Sequence, residues 1–141
     1  LQSHLKALKW AKSTGAKHVA IFEDDIIFDN GFAHKLDYYL KQAPDNFCIM
    51  YLGGSFGRKP QPMNLDFTKQ VMTWGAFAYI VNCDYVDELI NSISMAKKIT
   101  DAVYIDFQNK YVCIKPIKKL VTHPKGFSTI KNKDVDYKHI T

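Results

Sequence analysis

No apolar run in this chain approaches the ~20 residues that span a bilayer, and no basic, apolar, small-residue leader pattern opens it. Only three cysteines occur, Cys48, Cys83 and Cys113, without a CxxC pair, which argues against a disulfide framework or a metal knot. Each lies in or beside an apolar run and reads as a buried free thiol, so a reducing compartment, the cytoplasm, is expected. The phosphate-loop pattern, the Rossmann glycine fingerprint and internal repeats are all missing. Also missing are a long basic block, a zinc-finger spacing and the aromatic motif of an RNA-recognition sheet, so nucleic acid is set aside as a partner. The first residue is Leu1 rather than Met, directly ahead of a helix-like segment, and the chain is expected to be a piece of a longer protein.

What is present is one domain's worth of sequence, 141 residues with 47% hydrophobic content, enough to bury a core but little more. Its 19 basic against 14 acidic residues give +5, which suits a phosphate-bearing ligand or an anionic membrane surface contacted peripherally. The organising stretch is HVAIFEDDIIFD at residues 18–29, where an apolar run meets Glu23, Asp24 and Asp25. Residues 19–22 are continuously apolar and predict a strand buried on both faces. The acids then fall at its C-terminal end, the edge at which open α/β sheets bind ligands. Three adjacent carboxylates repel one another unless they are solvated, paired with Lys or Arg, or bridged by a divalent cation. Because Ile26, Ile27 and Phe28 resume the apolar pattern, the acids interrupt a hydrophobic segment, which marks function over an ordinary polar turn.

Ahead of that strand, Ser3 can cap a helix running to about Ser13, with Leu5, Leu8 and Ala11 on one face, Lys6, Lys9 and Lys12 on the other, and Gly15 stopping it. After it, Gly31 starts a helix in which Phe32, Leu36 and Leu40 face the core until Pro44. Residues 47–52 predict a second buried strand, and a long loop follows from Gly53 to about Lys69. Gly53 and Gly54 there are turn glycines, with lining of a site as the alternative. Residues 71–81 predict a strand in which Gly75 marks a bulge or a close backbone approach. Asn82 or Asp84 then caps a helix to about Ile93 with Val86, Leu89, Ile90 and Ile93 inward. A short helix over 99–109 carries Asp101 and Asp106, a strand covers 111–114, and an extended stretch leads into His123 and Pro124. Residues 131–141 form a polar tail, leaving 1–130 as the domain. Alternating strands and helices predict an α/β sandwich around a mixed, mostly parallel sheet, with antiparallel strands around Trp74 and Tyr111.

The ordered series Ser3-His4-Leu5 with Ala7-Leu8, HVAIFEDD, IMYLGG, TWGAFAYIV, TDAVYID, the Pro-x-x-x-Leu-Val stretch from Pro116 and finally Ser128-Thr129-Ile130 resembles glycosyltransferase family 25. That family includes bacterial lipopolysaccharide glycosyltransferases and collagen hydroxylysine galactosyltransferases. The resemblance implies a GT-A type nucleotide-sugar-binding fold, a UDP-sugar donor held through Mn²⁺ or Mg²⁺, and transfer of a hexose such as galactose, with inversion, to a saccharide or hydroxylated acceptor. It places Asp25 first and Asp24 second on the metal, in a DxD-like motif, with Glu23 and Asp24 towards the nucleotide. In several GT-A enzymes a late histidine, here His123, makes a third metal contact, where family 25 often carries glutamine, the alternative being a surface or cap histidine beside Pro124. The resemblance gives Asp101 as general base with Asp106 as substitute, each otherwise a helix cap or an exposed acid, and Trp74, Gly75 and Tyr79 as the wall of the donor or acceptor site, although the strand run favours Tyr79 as core. His4 belongs to the family's Ser-His pair and is expected to be a structural hydrogen-bonder. The strand and loop that hold the nucleotide base in this family lie upstream of the Ser-His segment and have no counterpart in the 141 residues, which motivates a rival reading, a noncatalytic glycosyltransferase-like binding or scaffold domain. The collagen-modifying relatives work in the ER lumen, a setting less in keeping with the free thiols than the cytoplasm.

Overall fold

The amphipathic first segment closes into α1 (Gln2–Ser13), burying Leu8 and Ala11 and exposing Lys6, Lys9 and Lys12. Gly15, at φ 71°, ends it as expected, whereas Ser3 lies within the helix and does not cap it. The computed structural model describes residues 2–97, 99–118, 120–124, 126–128 and 133–135. Beyond α1 it contains β1 (His18–Phe22), β2 (Ile27–Phe28), α2 (Phe32–Gln42) and β3 (Ile49–Tyr51). Four short strands follow, β4 (Ser55–Phe56), β5 (Gln61–Pro62), β6 (Phe67–Lys69) and β7 (Thr73–Trp74), and then β8 (Ala78–Asn82). After a single 3₁₀ turn (Cys83–Tyr85) come α3 (Val86–Met95), α4 (Thr100–Lys110), β9 (Cys113–Pro116), β10 (Val121–Thr122), β11 (Gly126–Ser128) and β12 (Lys133–Val135). The expected polar tail lies outside the described residues except for β12, which pairs with β11. Among the described residues no helix is long and apolar enough to cross a membrane.

The main sheet has the order β1-β8-β3-β9-β6-β5 and is mixed α/β in character, but it is mostly antiparallel. Only β3 and β9 pair in parallel; β1 with β8, β8 with β3, β9 with β6 and β6 with β5 all run antiparallel. The expectation of a mostly parallel sheet is therefore wrong, and the reason is physical. Helices cover both faces of the central strands, so β8 buries all five of its residues and carries the continuous apolar run that usually accompanies parallel pairing. Tyr79 and Val81 point into one core with Leu8, Leu89, Val103 and Tyr104 from α1, α3 and α4. Ala78 and Ile80 point into the other with Tyr39 of α2, Met50, Phe67 and Ile114.

Two further expectations are corrected at the edges. β1 is an edge strand that buries Val19 and Ile21 and exposes Ala20 and Phe22, so it is not buried on both faces. The loop expected over 53–69 is broken up by β4, β5 and β6, pieces of two or three residues that are too short to leave a periodic signal. Within that segment Gly53 is a packing glycine: a Cβ on it would meet the Val121 carbonyl oxygen at 2.7 Å and the Phe77 ring at 2.8 Å. All three cysteines are free, Cys48 and Cys113 buried and Cys83 half-buried. Contact with Cys113, followed by burial, pushes the Cys48 thiol upward and keeps it protonated.

At the start of β1, His18 stacks on Phe47 with centroids 5.1 Å apart, and its Nε2 is the one buried side-chain nitrogen or oxygen without a hydrogen-bond partner among the described residues. Burial first, then the charge of Lys17, lowers its pKa from the ordinary 6.5, with Asp84 and Asp45 opposing. The unfolded chain therefore binds this proton more readily than the native one, and the stability that depends on neutral His18 is present above about pH 6.5 and lost as pH falls through the lowered value. Urea unfolding of the wild type and His18→Phe between about pH 7 and pH 5 checks this: the wild type is expected to lose more stability on acidification than the variant. Parallel pH curves would exclude His18 as the source.

Candidate functional site

The mixed sheet still brings the right ends together. β1, β3 and β9 run in one sense and β8 in the other, so the C-terminal end of β1 meets the start of β8 at a single edge. The Glu23 backbone N–H donates to the Phe77 carbonyl at 2.8 Å, one step beyond the Phe22 and Ala78 pair, and fixes Glu23 at the last rung of the ladder. The chain then turns through Asp24 and Asp25 into β2, which pairs antiparallel with β10, Ile27 opposite Thr122 and Phe28 opposite Val121. That register brings His123, the residue after β10, back beside the acids.

His123 Nε2 lies 3.2 Å from Asp25 Oδ2, and the imidazole packs edgewise on the Phe77 ring with centroids 5.3 Å apart. One ligand atom from each of Glu23, Asp25 and His123 falls within 4.8 Å of the others. Glu23 and Asp25 are about half-exposed, at 44% and 55% of their side chains, whereas His123 is 14% exposed, so the imidazole is the most enclosed of the three. Asp24 is exposed beside them, and all three acids line an open pocket of about 460 Å³ that Ser3, His4 and Ala7 of α1 also line. Among the described residues the ion-pair partners of the trio are histidines and include no Lys or Arg. Of the apolar continuation, Ile26 packs against the core, whereas Ile27 and Phe28 are 53% and 48% exposed, and Phe28 joins Phe22 and Phe32 in a surface aromatic cluster.

Behind the trio runs a buried polar chain. His4 Nε2 is 3.4 Å from Glu23 Oε1, His4 Nδ1 is 2.9 Å from the Tyr79 hydroxyl, and that hydroxyl is 2.5 Å from the hydroxyl of Tyr104. Burial pushes both phenols well above their ordinary value, so both remain neutral hydroxyls. Tyr79 is fully buried in the core, as its place in the strand run predicts, and forms no wall of the pocket.

Asp101 stands in the first turn of α4 and accepts the Ala76 N–H at 2.9 Å and the Gly75 N–H at 3.3 Å. Gly75, at φ 89°, is the bend between β7 and β8, and a Cβ there would meet the Phe77 ring at 2.9 Å. Asp101 thus clamps the backbone one and two residues before Phe77, whose carbonyl anchors Glu23. Trp74, half-buried, pairs with Ser55 in β7. Asp106, five residues after Asp101 and so on another face of the helix, is exposed, and the structure does not bring it to the acids. Sequence reading missed Gln108, buried on the Asp101 side of α4: its amide nitrogen donates to the Tyr51 hydroxyl and the Thr73 carbonyl, and its oxygen accepts the Thr73 N–H, tying α4 to β7. The signal available was a polar residue seven positions after Asp101, on the apolar side of the helix.

Replacing Asp101 by Asn turns an amide N–H or its lone remaining oxygen towards two backbone donors where two carboxylate oxygens now accept. The expected result is a loss of about 1–3 kcal/mol in urea unfolding, and an unchanged midpoint would show that the clamp carries no stability. No protein-family model matches this chain, and no curated protein matches it.

Proposed function

We propose that this chain carries the metal-binding part of a divalent-cation-dependent glycosyltransferase that moves a hexose such as galactose from a UDP-sugar to a saccharide or hydroxylated acceptor. The observation that carries this reading is the convergence of Glu23, Asp25 and His123 within 4.8 Å, where the two carboxylates line a pocket. Two carboxylate oxygens and one imidazole nitrogen form a donor set suited to Mn²⁺, and to Mg²⁺ through the carboxylates, while the exposure of the acids leaves room for phosphate oxygens and water. A cation held there would neutralise charge on the departing UDP. The chain's own contributions follow from position. Phe77 holds the His123 ring and, through its carbonyl, Glu23. Asp24 stands at the pocket rim beside them as a further carboxylate. The family resemblance supports Asp25 as a metal ligand but puts Asp24 second, where the cluster here has Glu23. It also names Asp101 as general base, but both oxygens of Asp101 accept backbone N–H groups, so its first role here is to hold the Gly75 bend.

That engagement of Asp101 favours a second reading, a noncatalytic glycosyltransferase-like binding domain, and one experiment separates the two. Calorimetric titration of UDP with and without Mn²⁺ is expected to show binding only when the cation is present, and Asp25→Asn should abolish both that binding and UDP-sugar turnover while leaving the fold intact by circular dichroism. Full turnover in Asp25→Asn would refute the assignment. A wild type without Mn²⁺-dependent UDP binding would leave the scaffold reading in its place.

A further inference from the structure

The buried chain behind the acids has a direction set by its own donors and acceptors. An ionised carboxylate only accepts, so the proton shared between His4 and Glu23 belongs to His4 Nε2. If the imidazole is neutral, Nδ1 carries a lone pair and accepts from the Tyr79 hydroxyl, whose oxygen in turn accepts from the Tyr104 hydroxyl. Every group in that circuit is then satisfied. If instead both ring nitrogens donated, Tyr79 would have to donate to Tyr104, and the Tyr104 hydroxyl proton would be left buried without an acceptor among the described residues. The two phenols are completely buried, and His4 is 9% exposed. Such a network is costly to maintain unless every member is paired.

We propose that His4 is a positioning residue: the Tyr104 to Tyr79 hydroxyl chain holds its ring with Nε2–H directed at Glu23, and so keeps the Glu23 carboxylate turned towards Asp25 and His123. This rests on the reading of Glu23 as a cation ligand given above. The imidazole does not touch substrate or cation; it acts through the carboxylate. At 3.4 Å the contact is at the long end of a hydrogen bond, so it steers a half-exposed side chain and does not lock it. Tyr79 is the decisive partner, because it supplies the donor to Nδ1, while Tyr104 only completes Tyr79. Without Tyr104 the Tyr79 hydroxyl still donates to Nδ1. Without Tyr79 the buried Nδ1 has no donor among the described residues, and the ring loses what holds it in place.

The test uses the full chain with Mn²⁺ alone as probe, its affinity read from the electron paramagnetic resonance signal of the free ion, together with long-range ¹H–¹⁵N spectra of the imidazoles recorded without metal. The wild type is expected to show His4 protonated at Nε2. Tyr79→Phe should weaken Mn²⁺ binding by about 10-fold, the scale on which partners of metal-ligating groups act, and lose the His4 Nε2–H resonance. Tyr104→Phe should retain both. In a His4→Leu background, Tyr79→Phe should have no further effect on Mn²⁺, because both changes act through one contact. A thermal melt of each variant confirms that it is folded. The proposal is overturned if His4 carries its proton at Nδ1 alone, if Tyr79→Phe binds Mn²⁺ like the wild type, or if its effect persists undiminished in His4→Leu. A wild type that binds no Mn²⁺ sinks the cation reading and not this one: the metal-free spectra of the wild type, Tyr79→Phe and Tyr104→Phe still decide whether the tyrosine chain presents Nε2–H to Glu23.

Discussion

The antiparallel placement of β8 between β1 and β3 is the constraint from which the rest of the structure follows. Because its five residues are all buried and alternate between two cores, β8 cannot slip by one residue without exchanging Tyr79 and Val81 for Ala78 and Ile80. Its far end is pinned by Asn82, fully buried, whose side-chain amide donates to the Phe47 carbonyl at 2.9 Å and whose oxygen accepts the Asp84 N–H. Its near end is pinned by the Asp101 clamp on Gly75 and Ala76. With both ends fixed, the Phe77 carbonyl has one position, and Glu23 must meet it there. The location of the acidic trio is therefore a consequence of core packing several residues away.

This also explains what the sequence could and could not disclose. Periods of three and four residues showed the face of α1 carrying Leu8 and Ala11 and that of α3 carrying Val86, Leu89 and Ile93, because a helix covered on one side must repeat its apolar residues with its own turn. Strand positions were legible as apolar runs, but strand direction was not. A period of two is the same read either way, and burial on both faces erases even the alternation. β1 misled for a related reason: Ala20 and Phe22 are apolar yet exposed, so composition suggested a fuller cover than Phe32 at the start of α2 provides. At the site, adjacency made Glu23, Asp24 and Asp25 visible. The approach of His123, about 100 positions away, depends on the β2 and β10 register, for which two-residue strands leave no pattern. Asp101 and Gln108 were invisible as clamps because their partners are backbone groups and hydroxyls that any sequence contains.

The charge arrangement completes the argument. In a chain of net charge +5, the acidic trio lies beside two histidines and, among the described residues, no Lys or Arg ion pair. Two carboxylates about 5 Å apart repel by on the order of 1–3 kcal/mol between water-like and protein-surface conditions, and the exposure of Glu23 and Asp25 puts this pair towards the lower figure. Such a repulsion is tolerable, yet a single lysine would have removed it. A lysine would also have placed a permanent positive charge where the ligand atoms converge, excluding any cation from outside. A histidine differs in that its neutral ring offers a lone pair to a cation on one side or an N–H to a carboxylate on the other. Both imidazoles present Nε2 to a carboxylate, His123 to Asp25 at 3.2 Å and His4 to Glu23 at 3.4 Å with Nδ1 tied into the core, and of the two His123 is the one whose nitrogen falls among the candidate ligand atoms. The two imidazoles thus frame the carboxylates without cancelling them, and the residual negative charge is what a divalent cation would find on entering the pocket.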